Sequence, residues 1–121
     1  MTYTIGEVAR MMNIAASTLR YYEKEGLLLP TSRSQNGQRV YTDDDIATLS
    51  IIEYLKFCGL PLKEIRSFLP LIQSDGETLS ARREIMARER DNVRAQIAAL
   101  QTKLERLEFG CWYYETAQQY G

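Results

Sequence analysis

The sequence predicts a mainly α-helical fold, in which a small domain of short helices and one hairpin precedes a single long helix. Apolar residues recur at helical spacing on both sides of Asn36-Gly37, a dipeptide typical of hairpin turns. A run of about thirty residues without glycine or proline follows in the C-terminal part of the chain. We therefore expect a winged helix-turn-helix domain at 1–73, a linker at 74–77, a long helix at 78–109 and a short tail at 110–121.

The first two helices are marked by their ends. Thr4 and Glu7 have the spacing of a capping box, and an apolar stripe follows over 5–12, so the first helix is expected there. A tight turn at 13–16 then leads into a second helix that ends near Gly26. Two short helices with so short a connection are typical of a helix-turn-helix.

The second helix has an outward face suited to DNA. Leu19 and Tyr22, three residues apart, are expected to point inward together. The side chains left to point outward carry hydroxyl groups, one guanidinium and one phenol: Ser17, Thr18, Arg20 and Tyr21. A short helix with this surface suits insertion into a DNA major groove, which indicates a DNA-binding regulator.

The segment after this helix is expected to form a two-stranded wing over 31–41. Pro30 stops the helix, and Asn36-Gly37 sets the turn, with Arg33 before the tip and Arg39 and Tyr41 on the returning strand. The third helix, at about 43–57, begins after Thr42 and is apolar enough to be central to the core.

A fourth helix begins after Pro61, and Pro70 is expected to kink or shorten it.

In the long helix that follows, two interleaved seven-residue series form a seam over four heptads. Arg83 and Arg90 interrupt the seam in its N-terminal half, and Gly110 is expected to end the helix before an aromatic tail. Because one helix cannot bury its own seam, a partner is needed, and a second copy is the simplest. The apolar seam residues are Leu79, Met86, Val93, Ile97, Leu100, Leu104 and Leu107.

Composition restricts the function further. The chain has 121 residues, a net charge of −1, no histidine and two cysteines, Cys58 and Cys111. Neither histidine-dependent catalysis nor a histidine metal site is possible, and the cysteine spacing matches no zinc site. We therefore expect that the protein is not an enzyme and binds no cofactor or metal.

The sequence has no apolar run of the roughly 18 residues that span a membrane, and it has no secretory pattern. A cytoplasmic location is therefore expected.

Charge balance is the main difficulty for DNA binding, because residues 1–74 carry as many acidic as basic side chains. Binding then requires the basic groups to gather on one face. The balance also supports a rival interpretation, a coiled-coil interaction protein whose winged domain binds another protein.

Several linked motifs nevertheless resemble the N-terminal half of the MerR-type transcription regulators, over about 1–72. The motifs are Thr4-Ile5-Gly6-Glu7-Val8-Ala9, Thr18-Leu19-Arg20-Tyr21-Tyr22-Glu23, Gly26-Leu27-Leu28, Pro30, Arg33, Gly37-x-Arg39-x-Tyr41, Asp45, Cys58-Gly59-Leu60 and Leu62-x-Glu64-Ile65. The resemblance implies a homodimer built on an antiparallel coiled coil. It also implies binding to a pseudo-palindromic operator in double-stranded promoter DNA. There the protein would bend and untwist the promoter spacer, so that RNA polymerase, an indirect partner, can engage both promoter elements and transcription is activated.

The resemblance also implies residue roles. Thr18, Arg20 and Tyr21 would contact bases or phosphates from the second helix, with Arg20 as the candidate for a guanine. The wing would contact the backbone through Arg39 and Tyr41, and Lys56 would reach a phosphate. The complete candidate set for DNA binding is Ser17, Thr18, Arg20, Tyr21, Arg33, Arg39, Tyr41 and Lys56.

The effector does not carry over from the resemblance. Metal-sensing members place two or more cysteines after the dimer helix, where this chain has only Cys111. The thiol- and aldehyde-responsive branch, which is similar in length, places a cysteine where this chain has Tyr54, with Cys58 four residues later. Cys58 and Cys111 are therefore either sensor thiols or ordinary packing residues. The aromatic tail either packs on the partner or lines a small effector pocket.

Overall fold

The computed structural model of the protein describes residues 1–28, 37–74 and 76–121. The described chain forms two compact units, Met1–Arg82 and Arg83–Gly121. The first contains four helices and a two-stranded sheet, and the second consists of the greater part of one long helix.

Helices α1 (Ile5–Met12) and α2 (Ala16–Lys24) form the predicted helix-turn-helix. The capping box of α1 is complete, because the Glu7 amide donates to Thr4 Oγ1 at 3.2 Å and the Thr4 amide donates to Glu7 Oε1 at 2.8 Å. After α2 the chain turns at Gly26, whose φ of 77° is a conformation that favours glycine. The predicted boundaries of both helices are confirmed to within a residue or two.

A small antiparallel sheet joins the N-terminus to the segment before α3. Strand β1 (Thr2–Thr4) pairs with β2 (Val40–Thr42), with Tyr3 opposite Tyr41. The sequence predicted the returning strand of the wing but not this pairing with the N-terminus. The other half of the predicted hairpin, including Arg33 and Asn36, lies outside the described residues.

Helices α3 (Asp43–Phe57) and α4 (Leu62–Gln73) complete the first unit. A second capping box starts α3, with the Asp45 amide donating to Thr42 Oγ1 at 3.2 Å. Pro70 does not end α4, which continues to Gln73, because a proline so close to a helix end removes only one of its last hydrogen bonds. The core that these elements enclose consists of Val8, Ile14, Leu19, Tyr22, Leu27, Leu28, Tyr41, Leu49, Ile52, Leu55, Leu60, Ile65, Phe68 and Leu69.

The long helix α5 (Leu79–Tyr120) corrects the prediction that Gly110 ends it and that 110–121 is a separate tail. Gly110 keeps a helical backbone and is not among the glycines with positive φ. The physical reason is that a glycine inside a helix costs only about 1 kcal/mol relative to alanine. The helix formers on either side outweigh that cost, so the aromatic residues form its last turns.

No residue of α5 is buried within the single chain. Met86 is half-buried, but the other apolar seam residues are exposed, with Ile97 60% exposed, Leu100 61% and Leu107 61%. Among the described residues, no helix combines the length and apolar character needed to cross a membrane.

Candidate nucleic-acid interface

Helix α2 is fixed to the core through one face and presents the other to solvent. Leu19 and Tyr22 are buried, as their spacing predicted. On the opposite side Ser17, Arg20 and Tyr21 are exposed, and Thr18 is half-buried. Helix α2 therefore displays the polar face that the sequence predicted.

A carboxylate that the sequence analysis missed, Glu23, connects α2 to β2. Its Oε1 accepts a hydrogen bond from the Tyr41 hydroxyl at 2.7 Å, and its Oε2 lies 3.0 Å from Arg39 Nε. Tyr41 lies in β2 and Arg39 directly precedes that strand, so one side chain of α2 fixes the position of the segment that leads out of the wing. Glu23 lies inside one of the motifs quoted above, but nothing in the local sequence indicates its partners.

Tyr41 is the clearest correction to the predicted DNA-binding set. Its side chain is fully buried, and burial, together with the hydrogen bond to Glu23, raises the pKa of its phenol well above the usual value. A buried hydroxyl that donates to a carboxylate cannot also reach a phosphate. Tyr41 therefore has a structural role, holding β2 against α2.

A groove on one side of α2 brings two predicted arginines together. Arg20 of α2 and Arg39, which directly precedes β2, both line it. The start of α1 also lines the groove through Thr4, Ile5 and Gly6, and Gly37 and Gln38 complete the lining. Two guanidinium groups beside a helix N-terminus make this groove suitable for an anionic group such as a backbone phosphate.

A second groove on the other side of α2 contains Ser17, Thr18 and Tyr21 together with Lys56 of α3. The position of the lysine is fixed, because Lys56 Nζ donates to the Tyr22 hydroxyl at 2.7 Å and lies 5.2 Å from the centre of the Tyr22 ring. The Tyr22 hydroxyl donates in turn to Glu53 Oε1 at 2.7 Å. Burial is the main cause that raises the pKa of Tyr22, so this phenol stays neutral and remains a donor to Glu53.

The C-terminal end of α2 is also fixed, by an arginine that the sequence analysis did not single out. Arg66 of α4 donates through Nε to the Glu25 carbonyl at 2.8 Å and through Nη2 to Glu25 Oε2 at 3.1 Å. The helix is thus attached to β2 by Glu23 and to α4 by Glu25.

Most acidic side chains of the first unit are engaged in the fold itself. Glu23, Glu25 and Glu53 accept the bonds just described, and Asp43 accepts from the Tyr3 hydroxyl at 2.9 Å. Glu7 and Asp45 serve the two capping boxes, so six of the eight acidic residues in 1–74 have such a role. The same contacts also engage basic side chains, since Glu23 pairs with Arg39 and Glu25 pairs with Arg66, whereas Arg20 is exposed on α2.

Six of the eight predicted DNA-binding residues lie on α2 or line its two grooves: Ser17, Thr18, Arg20, Tyr21, Arg39 and Lys56. Of the other two, Tyr41 is buried and Arg33 lies outside the described residues.

Cys58 is half-buried at the end of α3, and Cys111 is exposed on α5. The described part of the chain holds no group of three or more potential metal ligands.

Two family models match the chain. One, described as MerR HTH family regulatory protein, covers residues 3–71, and the other, described as MerR, DNA binding, covers residues 46–108. Together they include the helix-turn-helix, the grooves beside α2 and most of α5.

Similar proteins and structures agree with these matches. An uncharacterized HTH-type transcriptional regulator of Haemophilus influenzae is 37% identical over all of this chain and 90% of its own length. The regulator ZntR of Escherichia coli is 34% identical over 90% of this chain and 80% of its own. The crystal structure of HiNmlR, a MerR family regulator lacking the sensor domain, bound to promoter DNA, aligns with a TM-score of 0.72 and 37% identity, covering 100% and 92% of the two chains. These relatives are transcription regulators, a non-enzymatic class, and the chain belongs to the MerR family of DNA-binding transcription regulators.

Proposed function

We propose that this protein binds a pseudo-palindromic operator in promoter DNA as a homodimer, and that it controls transcription by distorting the promoter spacer in response to a small signal. The observation that carries the proposal is the exposed polar face of α2 between two grooves lined by basic residues. Support for a DNA ligand also comes from HiNmlR, which is bound to promoter DNA in its crystal structure.

Within this proposal the residues of α2 read the major groove. Arg20 is exposed and fixed to a rigid helix, so its guanidinium is the candidate for a bidentate contact to guanine. Ser17, Thr18 and Tyr21 contact neighbouring bases or phosphates from the same face.

Phosphate contacts come from the two flanking grooves. Arg39 is oriented by its ion pair with Glu23 and Lys56 by its hydrogen bond to Tyr22, which lowers the entropy lost when they bind. Arg39 uses Nε for Glu23, and a guanidinium carries four further N–H donors. Arg33 remains a proposed backbone contact from the wing on the resemblance alone.

The homodimer is proposed because of the seam on α5. Its apolar residues are half or more exposed in the single chain at Ile97, Leu100, Leu104 and Leu107. A seam repeated over four heptads is buried most simply by a second α5. Two copies related by a two-fold axis would present two α2 helices to successive major grooves, and this matches a pseudo-palindromic operator.

RNA polymerase is the indirect partner in this proposal. A regulator that bends or untwists a spacer changes the relative position of the two promoter elements that the polymerase contacts. Distortion of this kind supports activation, and the same protein bound without distortion supports repression.

The test is operator binding by an Arg20→Ala variant, measured by footprinting on the DNA upstream of its own gene. Loss of a bidentate contact to guanine costs about 1–3 kcal/mol, or roughly 5- to 150-fold in affinity. Arg88→Ala is the matched control, because it removes the same charge from the outer face of α5. Equal binding by wild type and Arg20→Ala would reject the role of this residue. Absence of any protected site in the wild type would instead favour the protein-binding alternative.

A further inference from the structure

A carboxylate, Glu23, lies next to the groove in which two arginines are suited to bind an anion. Its Oε1 accepts from the Tyr41 hydroxyl at 2.7 Å, and its Oε2 lies 3.0 Å from Arg39 Nε. The Glu23 side chain is only 12% exposed, whereas the Arg39 side chain is 31% exposed. The carboxylate is thus the more buried member of the pair, and the guanidinium is the one that a ligand in the groove would meet.

The ion pair attaches Arg39 to the helix that carries Arg20. Glu23 follows Arg20 by three positions on α2, so the two side chains leave the helix at neighbouring places on its surface. Arg39 directly precedes β2, yet it lines the same groove as Arg20. The position of one arginine relative to the other therefore depends on Glu23.

Glu23 also cancels the charge of Arg39. The two side chains together carry no net charge, whereas Arg20 makes no ion pair with any described residue. Attraction to DNA of any sequence depends on how many positive charges the protein brings to the phosphates. A neutralised Arg39 adds little to this attraction, but its remaining N–H donors can still bind a phosphate that arrives in the matching position.

We propose that Glu23 is a specificity-determining residue of the DNA interface, which positions Arg39 relative to Arg20 and weakens binding to DNA of unrelated sequence. This inference rests on the proposed function and adds a regulator of its selectivity. Phosphate contacts fix the register of a protein on the duplex, and base contacts read the sequence in that register. An Arg39 attached to α2 binds its phosphate when Arg20 is aligned with the base edges, whereas an unattached Arg39 would bind a phosphate in any register.

A purely structural role for Glu23 makes a different prediction. Loss of the carboxylate would then loosen β2 and weaken binding to every duplex alike. The specificity role predicts opposite changes on two DNAs, because a variant without the carboxylate loses the position of Arg39 but gains its charge.

The experiment compares wild type and Glu23→Gln on two duplexes of equal length, the operator identified by footprinting and a scrambled sequence. Glutamine keeps an oxygen for Tyr41 but not the charge that holds Arg39. Binding to the scrambled duplex is expected to strengthen about threefold, the effect of one charge about 7 Å from a phosphate in water. Operator binding is expected to weaken, so that the ratio of the two affinities falls at least about tenfold, as for the loss of one hydrogen bond to a charged group.

The salt dependence provides a second measurement that a structural role would not change. On the scrambled duplex, the slope of log K against log salt should become steeper by about 0.9 for each bound copy of Glu23→Gln. Glu23→Asp separates position from charge, since it keeps the carboxylate but is one methylene shorter. We expect Glu23→Asp to weaken operator binding without a steeper slope.

Glu25→Gln is the matched control for net charge. It removes the same charge from the same end of α2 and breaks an ion pair with Arg66, which is not among the residues that line either groove. Glu25→Gln should therefore leave the ratio of the two affinities unchanged. In an Arg39→Gln background, Glu23→Gln should also leave the ratio unchanged, because Glu23 acts through Arg39.

Several results would overturn the proposal. Equal weakening of Glu23→Gln on both duplexes would indicate a structural role, and an effect that persists without Arg39 would exclude action through that residue. Urea denaturation shows whether the variants fold; if Glu23→Gln does not, Glu23→Asp decides, and unchanged operator binding by it would reject the positioning role. Failure of the proposed function is distinguishable, because wild type itself would then bind the operator no better than the scrambled duplex.

Discussion

The hydroxyl of Tyr41 distinguishes a structural tyrosine from a DNA-contacting one. The Tyr41 side chain is buried and its hydroxyl donates a hydrogen bond to Glu23, whereas Tyr21 is exposed on α2. Both residues were predicted to contact DNA, and only Tyr21 has a side chain that is accessible to it. The two residues therefore provide a matched pair for phenylalanine substitution.

Tyr41→Phe is expected to lower the free energy of unfolding by about 1–3 kcal/mol, because it removes the hydrogen bond that a buried tyrosine donates to a carboxylate. Urea denaturation followed by circular dichroism measures this. Tyr21→Phe is expected to leave the unfolding free energy unchanged and to weaken operator binding. A Tyr41→Phe protein that is as stable as the wild type but binds DNA poorly would contradict the structural assignment.

At the scale of the element, the start of α1 depends on the ionised form of Glu7. Its hydrogen bond from the Thr4 amide is the main cause that lowers the pKa of this carboxyl below its usual value of 4.5. A carboxyl whose pKa is lower in the folded state stabilises the protein above its unfolded pKa and loses that contribution as the pH falls. Part of the stability should therefore disappear as the pH drops below about 4.5.

Glu7→Gln tests this assignment. Glutamine keeps a capping oxygen but does not titrate, so the variant is expected to show a weaker decrease of melting temperature between neutral and acid pH. Melting curves of both proteins across that range provide the comparison. If the two profiles were parallel, the titration of Glu7 would not contribute to the acid sensitivity.

Gly110 allows a direct test of the continuity of α5. An added Cβ would meet no atom within 4 Å, and the backbone is helical, so Gly110→Ala is expected to stabilise the helix by about 0.5–1 kcal/mol. Gly26→Ala is the control, because Gly26 has a φ of 77° and alanine there should destabilise the protein. Thermal unfolding measures both. Destabilisation by Gly110→Ala would mean that α5 ends at this glycine.

The elements differ in how far their sequence predicts them. The starts of α1 and α3 were predicted because the N-cap residues Thr4 and Thr42 are each followed three residues later by a carboxylate, which is a purely local signal. Strand β1 was missed because three residues carry no measurable periodicity, and its partner is almost forty positions away. The end of α5 was placed too early because one glycine was weighed more heavily than the helix formers around it.

The same distinction holds for the candidate interface. The exposed residues of α2 were predicted because helical spacing alone separates them from Leu19 and Tyr22. The roles of Glu23, Glu25 and Arg66 were not predicted, because they depend on contacts between elements that are distant in sequence. Tyr41 was assigned to DNA by resemblance, which gives the position of a residue but not the direction of its side chain.

For the whole molecule, the seam of α5 links assembly to operator binding. A glutamate in place of Leu100, which is 61% exposed in the single chain, would put two carboxylates near the centre of the proposed interface. Light scattering of Leu100→Glu is expected to give single chains of 14.0 kDa. The first unit should remain folded, since no core residue is altered.

DNA binding by the same variant should weaken much more than its α2 surface would suggest. Two reading helices on one dimer bind with an avidity of about 10²–10⁴ over a single one, and Leu100→Glu removes that gain without touching a DNA contact. Ala99→Glu is the control, because it adds the same charge to the outer face of α5. Footprinting on the intact operator and on a half-site separates the two effects, since the loss should be confined to the intact operator. Equal weakening on both DNAs would mean that α5 acts on the reading helix itself rather than by holding two copies together.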